Sequence, residues 1–297
     1  MASGQSRTDP LTDNETLTAW LFLTPALLLL GAFVFWPMLY LLFLSVSAGH
    51  LGSSGVRWVS FANYWRLLTD PDFWQVLGNT LYFTVGTVLP SLVLPLALAV
   101  LLDRVVAWRD ILRTAYFLPS ITSLVAAGLA FRWLFQPDGP VTQLLLALGV
   151  AEPPAWFNSE TWAMPVLILL SIWKQLGFNL VVFLAGLQTI PGNRYEAAEL
   201  DGAGAWQQFW HISLPGLRPT LVFATVTTAI FTFRSFEPVY VVTGGGPLNS
   251  TNILVYDVYQ QAFALFDFGY AAAEAMVLLV LVLGLVALQL RVWGDEN

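Results

Sequence analysis

Cysteine is absent from the 297 residues, and lysine occurs once, as Lys174. The first absence excludes disulfides, thiolate metal sites and cysteine nucleophiles. Histidine is limited to His50 and His211, so no metal site is expected. Charge is scarce: Asp, Glu, Lys and Arg make up 10% of the chain, against roughly a quarter in a soluble domain. The net charge of -7 leaves no basic field for a nucleic acid partner. A phosphate-binding loop of the Gly-x-x-x-x-Gly-Lys-Ser/Thr kind needs a lysine after glycine. Lys174 lies in an apolar run and is followed by Gln175, so this chain is not expected to bind ATP itself. The run Gly244-Gly245-Gly246 reads as a turn rather than a phosphate cradle. No catalytic residues are assigned, since neither paired histidines nor clustered acids occur within the apolar runs.

Apolar residues fill the gap. They make up 57% of the chain, with 13 Trp and 21 Phe, and the mean hydropathy is +0.68. A membrane-crossing helix needs roughly 20 mostly apolar residues, and six runs qualify, at about 18–45, 79–102, 114–135, 161–187, 219–242 and 271–292. The expected class is an all-α, polytopic membrane protein with six transmembrane helices. The run starting near Leu17 is too long for the core of a cleavable signal and reads as a retained first span. Residues 1–17 and 294–297 are then short tails around a domain at 18–293. Pro25, Pro37, Pro90, Pro95, Pro119 and Pro165 fall inside or at the ends of these runs and imply kinks. The stretch 253–268, with Asp257 and Asp267, reads as an extramembrane or re-entrant element.

Basic residues orient the chain. Arg7, Arg104, Arg109, Arg113, Arg194, Arg218 and Arg291 fall on one side of a six-span arrangement, with Arg57 and Arg66 on the other. Both termini and the loop 188–218 are therefore expected in the cytoplasm, with 46–78, 136–160 and 243–270 facing outward. The loop 188–218 reads as two short helices about a turn. Pro191 to Asn193 break the preceding run and cap a new helix. Gly202 and Gly204 permit the turn, and Pro215 is expected to end the second helix. Tyr195, Leu200, Trp206, Phe209 and Trp210 are too apolar for a free loop and are expected to press into the membrane surface or into a partner protein.

Within that loop Glu196-Ala197-Ala198, three residues, Gly202, nine residues, and Ile212-Ser213-Leu214-Pro215 resemble the EAA loop of binding-protein-dependent ABC import permeases. Ile172 to Asn179, Phe233 to Glu237 leading into Thr243 to Pro247, Phe117-Leu118-Pro119 and Gly269 to Ala273 resemble the sugar-type branch, which includes maltose-type and glycerol-phosphate permeases. The resemblance implies the type I ABC importer permease fold in a prokaryotic plasma (inner) membrane. It also implies a second permease subunit in a probable heterodimer, two ATPase subunits that bind ATP and Mg, and an extracytoplasmic solute-binding protein. In this resemblance Glu196, Ala197, Ala198, Gly202, Ile212, Leu214 and Pro215 couple the spans to an ATPase. Glu196 faces polar or basic groups there, Gly202 makes the turn, and Ile212, Leu214 and Pro215 anchor the second helix.

Ionisable groups at membrane depth usually face a bundle interior or a water-filled cavity. Lys174 falls about twelve residues into its run, near the midplane at roughly 1.5 Å per residue. Arg234 and Glu237 are three residues apart and would share a helical face. Trp173, Lys174, Phe178, Asn179, Arg234, Glu237 and Tyr240 are the candidate lining of a substrate pathway. The blander reading makes Arg234–Glu237 a structural ion pair and sets Lys174 against backbone carbonyls. Arg132 and Glu274 are expected near the outer ends of their runs. The expected cargo is a sugar, a glycosyl-polyol or a related hydroxylated solute. Glycerol phosphate is an alternative through Lys174 and Arg234, and an ion-driven secondary transporter is a rival mechanism.

Overall fold

The computed structural model describes residues 13–48, 57–103 and 116–294. His50, Arg7, Arg104, Arg109 and Arg113 lie outside these residues, as do most of the 1–17 tail and residues 295–297 of the C-terminal tail.

Helix α1 (Asp13–Leu30) passes through a π turn at Gly31–Phe35 into α2 (Trp36–Ser45). Pro37 has no N–H for the carbonyl of Phe33, and the helix widens there without stopping. A two-residue antiparallel ladder pairs Ser47 with Trp58 and Ala48 with Arg57. It is followed by α3 (Ala62–Thr69) and α4 (Pro71–Asp103). Helix α4 begins eight residues before the expected 79. Asp70 accepts the N–H of Asp72 at 3.0 Å, and Pro71 occupies the first helical position, a strong start signal. The polar residues of that first stretch, Asp72, Gln75 and Asn79, hid the start from a hydropathy reading.

The third run is not a continuous helix. It is helical over 116–121, interrupted at Thr122 and Ser123, and resumes as α5 (Leu124–Leu134). After α6 (Pro140–Ala147) comes α7 (Ala163–Gln188), close to its expected bounds. Two short loop helices follow, α8 (Gly192–Leu200) and α9 (Ala205–Gln208), then α10 (Arg218–Phe233). The expected run to 242 stops at Phe233, breaks over Arg234–Phe236, and returns in a π turn at Val239–Thr243. Pro238 removes the N–H that would bond the carbonyl of Arg234, so the ladder cannot cross this point intact. Helix α11 (Leu254–Tyr259) runs into a π turn at Gln260–Ala264, and α12 (Phe268–Gly294) closes the chain.

Among the described residues four stretches are long and apolar enough to cross a membrane: Thr18–Ser45, Pro71–Leu102, Ala163–Gln188 and Phe268–Arg291. A fifth qualifies when Ala205–Gly216 is joined to Arg218–Phe233, although the two meet at 68°. The third run contributes only the short apolar α5. The all-α, polytopic class stands, with its third and fifth runs broken.

Packing centres on α4, α7 and α10. At the end of these helices nearer the 188–218 loop, Ala99, Leu102, Leu180, Phe183, Leu187, Ile190 and Leu217 form one core cluster. Toward the other end, Phe83, Met164, Leu167, Leu170, Val239 and Ile253 form another. A third joins α3, α4, α11 and α12 through Leu67, Phe73, Val76, Leu254 and Tyr270. In the stretch 253–268, Ile253, Leu254, Tyr256 and Asp257 are buried. Between the first two clusters runs a polar seam. Asn179 donates to the Ser91 carbonyl at 2.6 Å and to Thr228 Oγ1 at 3.0 Å, tying three helices together. Thr80, Thr84, Thr87 and Ser91 are all buried and fall on one face of α4 by their 4-3-4 spacing.

Small residues set the closest approaches, as expected where helices lack a hydrophobic drive to associate in lipid. A Cβ on Gly177 would meet the Tyr116 carbonyl, and Ser120 Oγ at 2.6 Å. A Cβ on Gly186 would meet Thr220 Oγ1 at 2.5 Å. Gly177→Ala should therefore push the 116–121 segment off α7 and destabilise the fold by about 1–3 kcal/mol. Gly78→Ala, where a Cβ meets nothing within 4 Å, should leave stability unchanged or raise it slightly. Melting temperatures of the purified variants decide this, and equal behaviour of the two contradicts the packing account.

Candidate functional site

The 188–218 loop folds into a compact corner with a specific turn. Pro191 is extended and starts α8. At its far end Gly202 takes φ +82°, a left-handed conformation that costs a residue with a Cβ roughly 1–2 kcal/mol. The Gly202 N–H donates to the Glu199 carbonyl at 3.0 Å, and the Ala203 N–H reaches the Ala198 carbonyl at 2.8 Å. This pair of bonds is a Schellman closure of the helix. It gives the spacing from Ala198 to Gly202 a physical meaning: three residues separate the last-turn acceptor from the left-handed position. Gln207 Oε1 then accepts the Gly204 N–H at 2.9 Å, starting α9.

The second limb differs from expectation in one respect. Pro215 does not end it. Helix α9 widens into a π turn at Phe209–Ser213 and stays helical through Gly216. The missing N–H of Pro215 would have faced the carbonyl of His211, and the π turn absorbs that gap. The chain bends at Leu217 instead, which is fully buried. Anchoring falls to Ile212 and Leu217, which pack with Ile190 and Tyr195 in the core cluster beneath the loop. Leu214 is half-buried and Pro215 exposed. The Tyr195 hydroxyl and Ser213 Oγ lie 3.0 Å apart and tie the two limbs.

The outer surface of this corner is uncovered. Leu200 is 90% exposed, Trp206 71% and Trp210 47%, while Glu196 and Ala197 are exposed beside them. A cleft of about 320 Å³ lies between the limbs, lined by Ala198, Asp201, Gly202, Gln207, His211 and Ile212 among others. A large exposed apolar group on a structured loop marks an interaction surface.

A second concavity lies within the helices. About 370 Å³ is enclosed by Phe117, Ser120, Leu124, Ser171, Lys174, Gln175, Phe178, Phe231, Ser235 and Pro238, a size within the range of small-molecule sites. Of the candidate pathway residues, Lys174 and Phe178 line it. Phe178 meets Phe231 edge-on at 5.9 Å. Asn179 does not line it: the residue is fully enclosed and committed to the polar seam. Trp173 packs on Phe131 at 5.8 Å as part of the apolar core. Arg234, Glu237 and Tyr240 are exposed around the break after α10. No ion pair joins Arg234 to Glu237 among the described residues, where Arg66–Asp267 at 2.5 Å is the pair present. The break removes the continuous helical face that would have set them together. Tyr240 belongs to an aromatic group with Phe236, at 5.1 Å, and Tyr259, at 5.6 Å. Burial, opposed by a hydrogen bond with Gln260, holds the neighbouring Tyr256 phenol above its ordinary range.

Lys174 does not reach freely into this cavity. Its Nζ donates to the carbonyls of Pro119 at 2.8 Å and Ser120 at 3.1 Å, and to that of Thr122. Arg132 is exposed. Glu274 is fully buried, and neither carboxyl oxygen has a hydrogen-bond partner among the described residues. Sequence reading missed Ser120, Ser171, Gln175, Phe231 and Ser235. A usable signal was present: serines and a glutamine within apolar runs. No group of three or more His, Asp or Glu is placed to hold a metal among the described residues.

Residues 16–295 match the family model described as "Binding-protein-dependent transport system inner membrane component". The lactose transport system permease protein LacF of Rhizobium radiobacter is 36% identical over 92% of this chain and 93% of its own length. The sulfoquinovosyl glycerol transport system permease protein SmoG of Agrobacterium fabrum is 36% identical over 94% and 91%. The sn-glycerol-3-phosphate transport system permease protein UgpA of the same organism is 34% identical over 92% and 93%. The fold is similar to a chain in a crystal structure of a bacterial ABC transporter involved in import of alginate, with a TM-score of 0.83 at 22% identity over 96% of this chain and 97% of that one.

Gly202→Val isolates the conformational role of the turn. A side chain there meets open space, so the cost should come from φ alone, about 1–2 kcal/mol, localised to the loop. Amide exchange at 198–204 should accelerate while α7 and α10 stay protected. Exchange unchanged at 198–204 contradicts the left-handed closure.

Proposed function

The chain belongs to the family of binding-protein-dependent transport system inner membrane components, and on that premise we propose that it is one transmembrane subunit of an ATP-driven importer of a hydroxylated solute. The observation that carries this reading is the Schellman-closed loop, rigidly joined to the core below and apolar on its uncovered face. Such a face needs a partner. In this reading it is an ATPase subunit, which binds the ATP and Mg that this chain has no loop to hold. Six crossings place both termini and 188–218 in the cytoplasm, with the third and fifth crossings made by broken helices. A second permease subunit, a second ATPase subunit and an extracytoplasmic binding protein complete the machine.

The working cycle follows from how the loop is attached. Closure of the ATPases displaces the α8–α9 corner. Ile190, Ile212 and Leu217 pass that motion to α7 and α10 through shared packing, and the polar seam carries it to α4. The cavity around Phe178 and Phe231 changes its access, accepts solute from the binding protein and releases it inward after hydrolysis. Glu196, Ala197, Ala198 and Gly202 form the contact and its turn, Ile212 and Leu214 hold its second limb, and Pro215 lies at the surface. Arg234, Glu237 and Tyr240 stand at the outer approach, with Lys174 and Phe178 inside it.

Hydroxyl-rich cargo is supported by the chemistry of the cavity wall, where aromatic faces alternate with serine and amide groups. Lactose, named for LacF, is of that kind, and sulfoquinovosyl glycerol, named for SmoG, is hydroxyl-rich while also carrying a sulfonate. Glycerol 3-phosphate, the cargo named for UgpA, is the second reading.

Glu196→Lys should uncouple the machine: ATP hydrolysis by the assembled complex persists, while binding-protein-dependent uptake into vesicles falls to background. Uptake near the unsubstituted level would remove the loop from the coupling path.

A further inference from the structure

We propose that Lys174 is a positioning residue whose three donors are spent on the interrupted third helix, so that the cavity it borders selects a neutral, hydroxyl-rich solute and discriminates against phosphorylated ones. This rests on the reading of that cavity as the substrate path and separates the two cargo classes left open above.

The geometry supplies the first half. The 116–121 helix stops at Thr122 and Ser123, so its last carbonyls have no N–H one turn ahead. Backbone broken at membrane depth is tolerated where other groups of the protein answer it. An ammonium has three N–H donors and no acceptor. Lys174 directs them at Pro119, Ser120 and Thr122. Gly177, one turn further along α7, lets the segment come close enough for this. An anion entering the cavity would gain the ammonium only by stripping carbonyls that have no other partner. A phosphate ester would also lose its own hydration in the exchange.

The wall supplies the second half. Gln175 Oε1 is buried and accepts no hydrogen bond, while its Nε2 donates weakly to Thr232 Oγ1 at 3.3 Å. Hydroxyl and amide groups in the wall can give to and accept from a solute hydroxyl, whereas none of them carries a charge to pair with a phosphate dianion. Ser120, Ser171 and Ser235 are neutral, and Phe178 and Phe231 present ring faces. The carboxylate within electrostatic reach of Lys174 is Glu237, which further offsets its charge. The lysine most readily taken for an anion receptor is therefore a helix clamp.

The test uses the assembled complex in nanodiscs, without nucleotide, and hydrogen–deuterium exchange over residues 119–126. Lys174→Met should accelerate exchange there by more than about tenfold, the factor that corresponds to about 1.4 kcal/mol, while exchange at 192–216 stays unchanged. In the unsubstituted complex, sn-glycerol 3-phosphate and inorganic phosphate should each leave exchange at 119–126 as it is. Unchanged exchange in Lys174→Met overturns the clamp. Slower exchange on adding either anion overturns the discrimination, and this arm needs no variant to fold. Neither arm involves ATP, so a failure here is distinct from a failure of the coupling loop.

Discussion

A helix interrupted within an apolar bundle must satisfy its own carbonyls, and the rest of this structure is arranged around how that is done at the third apolar run. One ammonium on α7 takes two carbonyls from the end of the 116–121 helix and a third, that of Thr122, from the break itself. The close approach that makes this possible is set by Gly177. The same interruption opens the wall against which Phe178, Gln175 and Phe231 form a cavity. Without the clamp, a break at this depth would leave several polar groups unanswered, each costing on the order of 1–3 kcal/mol.

The proposed function depends on a mechanical line from a surface corner to that cavity. At one end, the α8–α9 corner is closed by backbone bonds about Gly202 and held to the bundle by Ile212, Leu217 and the Tyr195–Ser213 contact. At the other, α7 carries Lys174 and Phe178. Between them, α7 is joined to α4 and α10 by apolar packing and by the Asn179 seam. Packed interiors move as blocks rather than deforming continuously, so displacement of the corner reaches the cavity wall as a shift of whole helices. Bonds within the seam are buried and satisfied at Asn179, which suits a joint that must hold its register while the helices move.

Much of this was legible before any coordinates. Six apolar runs, the all-α class, the loop helix beginning after Pro191 and the turn at Gly202 follow from composition, proline position and spacing, whereas the expected side-chain cap on that helix is not formed. The breaks at Thr122–Ser123 and Arg234–Phe236 did not, because hydropathy counts apolar residues and is blind to whether their backbone ladder is continuous. The break after Phe233 undid the argument that Arg234 and Glu237 share a face, which assumed an unbroken helix. Asn179 was read as a pathway residue because a polar side chain in an apolar run has two possible destinations, a cavity or a partner helix, and sequence alone does not choose between them. The buried threonine row on α4 carried a readable helical spacing, yet threonine is apolar enough to pass unnoticed in such a run. Helix α11 lies in the stretch read as an extramembrane or re-entrant element, and the burial of Asp257, bonded to Asn252 at 2.9 Å, was not legible in its composition.

The central claim is that the α8–α9 corner seats on a separate ATPase subunit. Because the chain contains no cysteine, a single Leu200→Cys substitution reports on that face directly. The measurement is the rate of modification of this cysteine by a water-soluble maleimide, in the chain alone and in the assembled complex. The expected result is rapid modification alone and protection to background once the ATPase subunits are present. Equal reactivity in both states would contradict the account.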